Sequence, residues 1–176
     1  AEGAILSYFT SLNSLYLLSY RLTMSQVGLM GTIAIIPFII KIFFGMLSDR
    51  FNFLKLGYRK PYIVFGLVLQ ALCLVAAPAI HPGNQFWLFA LLAFVLMSGQ
   101  ALYDTCTDGL ALDTTPVAEG GTIQGIMVGG RALGVVLISA ALGWIVQKLS
   151  WSGAFWLLAV LTLMPLPLVL MAKEQP

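Results

Sequence analysis

Apolar residues in this chain come in long unbroken blocks. They follow neither strict alternation nor the one-face rhythm of a helix lying on a water-exposed domain. A membrane-spanning helix needs about 20 mostly apolar residues, and six blocks reach that length: roughly residues 1–19, 24–48, 61–80, 86–112, 120–147 and 152–171. The breaks between them are short: SYRLT, a charged loop, HPGNQ, TTPVAEGG and KLSWSG. Pro82-Gly83-Asn84, Pro116 and Gly120-Gly121 supply turn and helix-boundary chemistry there. Barrel strands would read as alternating segments of about ten residues, and these blocks are too long and too uniform. The pattern predicts an all-α membrane protein of six transmembrane helices, the first of them rich in serine.

Composition agrees with that pattern. Hydrophobic residues make up 60% of the chain and charged ones 9%, where a soluble domain carries roughly 25% charge. Such a chain cannot cover a water-facing surface, and the lipid bilayer is its expected surrounding. The net charge of +2 is too small to suggest nucleic acid. Cys73 and Cys106 lie inside apolar runs and read as free thiols rather than a disulfide or metal pair. The chain opens at Ala1 already inside an apolar segment, with no visible signal peptide, so a trimmed or partial chain is expected. No phosphate-binding glycine loop, metal-ligand spacing or nucleophile motif occurs. Neither a cofactor nor an enzyme is expected.

Charge fixes the orientation. The stretch GMLSDRFNFLKLGYRK, Gly45 to Lys60, holds Arg50, Lys55, Arg59 and Lys60, and Lys173 follows the last block on the same side. The opposite side has Arg21 and Lys148. The basic excess puts loop 49–60 in the cytoplasm, and an even number of spans returns the C-terminus there. Topology alone needs only Lys and Arg, however, and leaves Gly45, Asp49, Gly57 and Pro61 without a reason.

Gly45-x-x-x-Asp49-Arg50 followed by Gly57-x-Arg59-Lys60 resembles the loop signature of the major facilitator superfamily. That signature lies between the second and third helices of a six-helix half, and here it has the same place. The insert FNFLKL is longer than usual. With LGYRKPYIVFGLVLQ it resembles the folate–biopterin, muropeptide-permease and bacteriochlorophyll-delivery branches. The specific motif is confined to this loop, while the six-block pattern extends the likeness over the whole chain. The resemblance implies a major-facilitator-type half bundle, the N-terminal half of a secondary transporter with alternating access, in a bacterial inner membrane. It implies a gate built from Gly45, Asp49, Arg50, Gly57, Arg59 and Lys60. Gly45 would let two helices approach closely, and Asp49 could accept hydrogen bonds from a helix N-terminus. Arg50 and Arg59 could pair with carboxylates or lipid phosphate. In the family the partner helix of Asp49 belongs to the second half, and helices two and five face that half. The bacteriochlorophyll-delivery likeness keeps an alternative open: a non-transporting six-helix accessory subunit of a larger membrane complex, such as a photosynthetic one. Either way a partner is expected against spans two and five.

Ionisable residues inside spans are costly and mark function. Asp104 and Asp108 are four apart and share a helix face, with Gln100 one turn earlier. Arg131 lies in the next span at a similar depth from the cytoplasmic side. The expectation is an Arg131 pair with Asp104 or Asp108. One poorly solvated carboxylate is then left over and suits proton carriage. A purely structural ion-pair network is the alternative. Asp113 and Glu119 read as interfacial, with membership of the gate as the alternative. Lys41 shares a stripe with Gly45 and Asp49; it either snorkels to the cytoplasm or faces the bundle. Arg131 and Lys41 would suit a small anionic solute unless pairing consumes them. Ser7, Thr10, Ser11 and Ser14, with Asn13 beside them, read as a water-lined wall or as interhelical hydrogen-bonding groups. Gly121, Gly125, Gly129, Gly130 and Gly134 offer a close-packing surface. His81, in an outer turn, carries no expected role. Trp87, Trp144, Trp151 and Trp156 read as interface anchors.

Overall fold

The computed structural model describes residues 2–50, 58–148 and 150–171, with Asp49 and Val117 described by backbone alone. The described residues form helices joined by short turns. They are α1 (Glu2–Ser7), a π turn (Tyr8–Leu12), α2 (Asn13–Ser19), α3 (Met24–Ile39), α4 (Lys41–Arg50), α5 (Lys60–Ala76), α6 (Phe86–Asp113), α7 (Gly120–Lys148), α8 (Trp151–Leu163) and α9 (Leu166–Met171).

Among the described residues, five helical stretches are long and apolar enough to cross a membrane: Met24–Ser48, Lys60–Ala79, Phe86–Asp113, Gly120–Lys148 and Trp151–Met171. The first expected span is not among them. It is helical from Glu2 to Ser19 but divided by the π turn. The cause is local chemistry. Ser7 Oγ donates to the Ala4 carbonyl and Thr10 Oγ1 to the Leu6 carbonyl, each at 2.8 Å. Hydroxyls that bond back onto the preceding turn compete with the helix ladder and bend it.

Proline divides the second stretch. Pro37 lies inside α3 and has no N–H for the carbonyl one turn earlier. The helix ends at Ile39 and restarts at Lys41. Thr23 opens α3 with a capping box to Gln26. Pro61 sits in the first turn of α5, where a proline starts a helix. Ser150 caps α8, its Oγ accepting from the Gly153 N–H at 3.2 Å.

Helix α6 is the centre of the bundle. It packs on α5, on α3 and α4, and touches α1 and α7, while α1 lies along α7 and α5 along α8. Two crossings depend on glycine. A Cβ on Gly66 would stand 2.8 Å from the Gly99 carbonyl oxygen, so α5 and α6 touch backbone to backbone. A Cβ on Gly3 would stand 2.7 Å from the Arg131 carbonyl oxygen and 2.9 Å from the Gly134 Cα, joining α1 to α7 in the same way. An aromatic layer fills one end of the core, with Tyr16 between Trp151 at 5.0 Å and Phe155 at 5.2 Å. Trp151 therefore packs inward rather than anchoring at an interface, whereas Trp87, Trp144 and Trp156 point outward.

Candidate functional site

Asp104 lies on the inner face of α6, its side chain 1% exposed. Charges from three other helices converge on it. Arg131 of α7 reaches its Oδ1 at 2.8 Å, and Lys41 Nζ of α4 stands 3.4 Å from its Oδ2. Glu2 of α1 meets Arg131 Nε at 2.6 Å, and Asp108, one turn along α6, lies 4.0 Å from the same guanidinium.

Backbone features already described put each charge there. The break between Ile39 and Lys41 starts α4 with the lysine and turns it onto α6. Lys41 is thus a bundle-facing charge and not one that snorkels away. The Gly3–Gly134 crossing brings α1 and α7 close enough for Glu2, next to Gly3, to meet Arg131, three residues before Gly134. The cluster holds three carboxylates (Glu2, Asp104, Asp108) against two cations (Lys41, Arg131). One carboxylate is in excess, and its neutralisation by a proton or by a cationic group would balance the site.

Gln100 does not join this cluster by a hydrogen bond. It is fully buried one turn from Asp104, and neither of its amide atoms meets a partner among the described residues. Gln70 of α5 is in the same condition and packs against Gly99. Ser7 leaves the expected wall of span one, because it is buried and bonded within its own turn. Thr10, Ser11 and Ser14 stay exposed, and Ser11 Oγ stands 3.3 Å from Ser139 Oγ of α7.

A second polar locus lies further along α6, at its C-terminal end. Arg59 Nε pairs with Asp113 Oδ2 at 2.8 Å. Its guanidinium lies over Gly109, in space that any side chain there would occupy. Gly45 of α4 faces Thr105, whose Cγ2 would stand 3.2 Å from an added Cβ. Arg50 ends α4 and is exposed, and Lys60 opens α5. Gly57 and the side chain of Asp49 lie outside the described residues. Asp113 thus meets the loop's arginine while its side chain stays exposed. Among the described residues no group of His, Cys, Asp or Glu could hold a metal ion, and Cys73 and Cys106 are separate, buried thiols.

Sequence reasoning passed over Glu2, Gly3 and Gly109. Glu2 and Gly3 stand at the start of the chain, where a depth in the membrane cannot be counted from a preceding loop. Gly109 carried a signal: a lone glycine in a long helix, four residues before a carboxylate, leaves room for a long cation to lie along the helix.

An all-helical bundle with apolar outer faces and a charge cluster inside it is an integral membrane protein. The family model of the Major Facilitator Superfamily matches residues 3–176, and the chain belongs to that superfamily. It is similar to the anhydromuropeptide permease of Escherichia coli strain K12, at 28% identity over 138 residues, 78% of this chain and 28% of the relative. The permease of the O157:H7 strain matches equally. The chain therefore spans about 28% of the length of the curated relatives it matches.

Proposed function

We propose that this chain is the N-terminal six-helix half of a secondary active transporter in a bacterial inner membrane. It moves a small anionic solute by alternating access. The observation that carries the reading is the convergence of Glu2, Lys41, Asp104, Asp108 and Arg131 inside the bundle. Charges held within a membrane are costly and serve pathways. Lys41 and Arg131 are partly exposed while Asp104 is buried beneath them. They can offer an anion two cations without leaving Asp104 unpaired for long. The carboxylate in excess gives a place for a co-transported proton, which makes the reading a proton symporter. Segment Glu2–Ser19 acts as the first of six spans. The outward faces of α3–α4 and α7 receive the second half, and the loop with Arg59 lies at the cytoplasmic side.

The similarity to an anhydromuropeptide permease makes an anhydromuropeptide the first solute to test. The natural full-length protein is reconstituted in proteoliposomes, and uptake is followed with and without an inwardly directed proton gradient, acid outside. Uptake that the gradient stimulates and that Asp104→Asn removes supports the reading. Uptake indifferent to the gradient would remove the proton from it, and no uptake of any anionic muropeptide would set this solute aside.

A further inference from the structure

The charge cluster pairs its members unevenly. Arg131 meets Glu2 at 2.6 Å and Asp104 at 2.8 Å, and Lys41 stands 3.4 Å from Asp104. Asp108 has only the edge of Arg131 at 4.0 Å, and it makes no hydrogen bond among the described residues. The carboxylate in excess therefore has a definite place. It is Asp108, one turn from Asp104 towards the C-terminal end of α6. Its side chain is 32% exposed, against 1% for Asp104. The charged groups that act on it come from four helices: Asp104 on α6 itself, Arg131 of α7, Lys41 of α4 and Glu2 of α1. Arg59, further along α6, is turned to Asp113 instead.

Anionic and cationic groups would have to break different contacts here. An anion that reaches Lys41 or Arg131 competes with Asp104, whose buried carboxylate is costly to leave without a partner. A cation that reaches Asp108 displaces nothing closer than 4.0 Å. It also brings three carboxylates and two cations to neutrality.

We infer that Asp108 is a specificity residue that accepts a primary ammonium group of the solute. The inference rests on the transport reading, and it gives the solute of that reading an amine beside its anionic group. The chemistry of the cation follows from the surroundings. A hard metal ion takes several oxygen ligands, and among the described residues no group of His, Cys, Asp or Glu could hold one. A guanidinium pairs with both oxygens of a carboxylate, and Arg131 already stands on the Oδ1 side. A primary ammonium is compact. It pairs through one oxygen and keeps two further N–H donors for water.

The test uses the full-length protein purified in detergent and two compounds. One is an anhydromuropeptide with a single free amine on its peptide, and the other is the same compound with that amine acetylated. Acetylation removes the positive charge and leaves the anionic groups in place. Calorimetric titration gives the dissociation constant of each. The amine-bearing compound is expected to bind at least about tenfold more tightly, the scale of one hydrogen bond to a charged group. Asp108→Asn brings the two compounds to one affinity, and Asp108→Glu keeps the difference. Asp108 has no close partner to lose, so both variants are expected to fold. The comparison of the two compounds on the parent protein needs neither. Equal affinities in the parent, a difference that persists in Asp108→Asn, or no binding of the amine-bearing compound overturns the inference. If the difference depends on Asp108 but neither compound is taken up in proteoliposomes, the transport reading falls and the ammonium site stands. Uptake of both compounds with equal affinities has the opposite meaning.

Discussion

Helix α6 carries two glycines and α7 seven, and the two helices use them in opposite ways. In α6, Gly99 faces Gly66 and Gln70 of α5, and Gly109 lies under the Arg59 guanidinium. Half of the most apolar window of α6 is buried. In α7, Gly120, Gly121, Gly125, Gly129 and Gly130 meet nothing within 4 Å. Gly134 alone of the α7 ladder is in contact, against Gly3. Leu142 is the one buried residue of α7 among those described, while Ile126, Leu133, Val136 and Leu137 point outward. Small residues thus show where a helix can come close to another, and only the fold shows whether one does. The same contrast holds for charge. Arg131 stands on the exposed helix and Asp104 on the buried one, and their pair is the join between the two.

The largest effect should come from breaking that join. Arg131→Leu leaves Asp104 with Lys41 alone at 3.4 Å, and removing one partner of a buried pair costs about 3–5 kcal/mol. Unfolding of the full-length protein in detergent measures it; a loss under about 1 kcal/mol would mean that Asp104 is solvated. Next comes Gly99→Val. Its side chain would press on the Gly66 carbonyl oxygen, 3.1 Å from the Cβ, and overpacking costs about 1–3 kcal/mol. Smaller again is Gly109→Leu, which displaces Arg59 from an exposed Asp113. A loss of at most about 1 kcal/mol is expected, as for other partly solvated pairs, and a spin-label distance between positions 59 and 113 should lengthen. Gly125→Ala should change the stability of the chain by less than about 0.5 kcal/mol, since its Cβ enters open space. A clear loss with the same substitution in the full-length protein would show that a partner covers this face.

Much of the helical pattern was legible because lipid imposes a simple rule: long apolar blocks become helices, since each must satisfy its own backbone. The helices α6 and α7 begin and end within about one residue of the apolar blocks, and α5 begins within one residue of its block but ends earlier, at Ala76. The divisions were less legible. Pro37 stood in plain view, but a proline in a span is tolerated often enough that it does not fix a break. The π turn at Tyr8–Leu12 depends on where Ser7 and Thr10 send their hydroxyl protons, which block length does not encode. Arg131 and Asp104 could be matched by counting depth from a shared loop. Lys41 could not be placed between lipid interface and bundle without the turn at Ile40. Glu2 had no loop to count from, and Gly125 and Gly134 read alike in sequence although only one of them touches another helix.

The central claim is that the Asp104–Arg131 pair serves transport and is more than a clasp between α6 and α7. The double substitution Asp104→Asn, Arg131→Gln separates the two roles. It removes both charges together and leaves two amides that can still hydrogen-bond across the helices. A clasp survives that exchange, because replacing both members of a buried pair is often close to neutral in stability. A solute and proton site does not. The measurement is uptake by the full-length double variant in proteoliposomes, beside its unfolding temperature. The account predicts an unfolding temperature within a few degrees of the parent and uptake reduced at least about a hundredfold, the scale of two lost charged contacts of roughly 1.4 kcal/mol each. Uptake within about twofold of the parent in a stably folded double variant would contradict it.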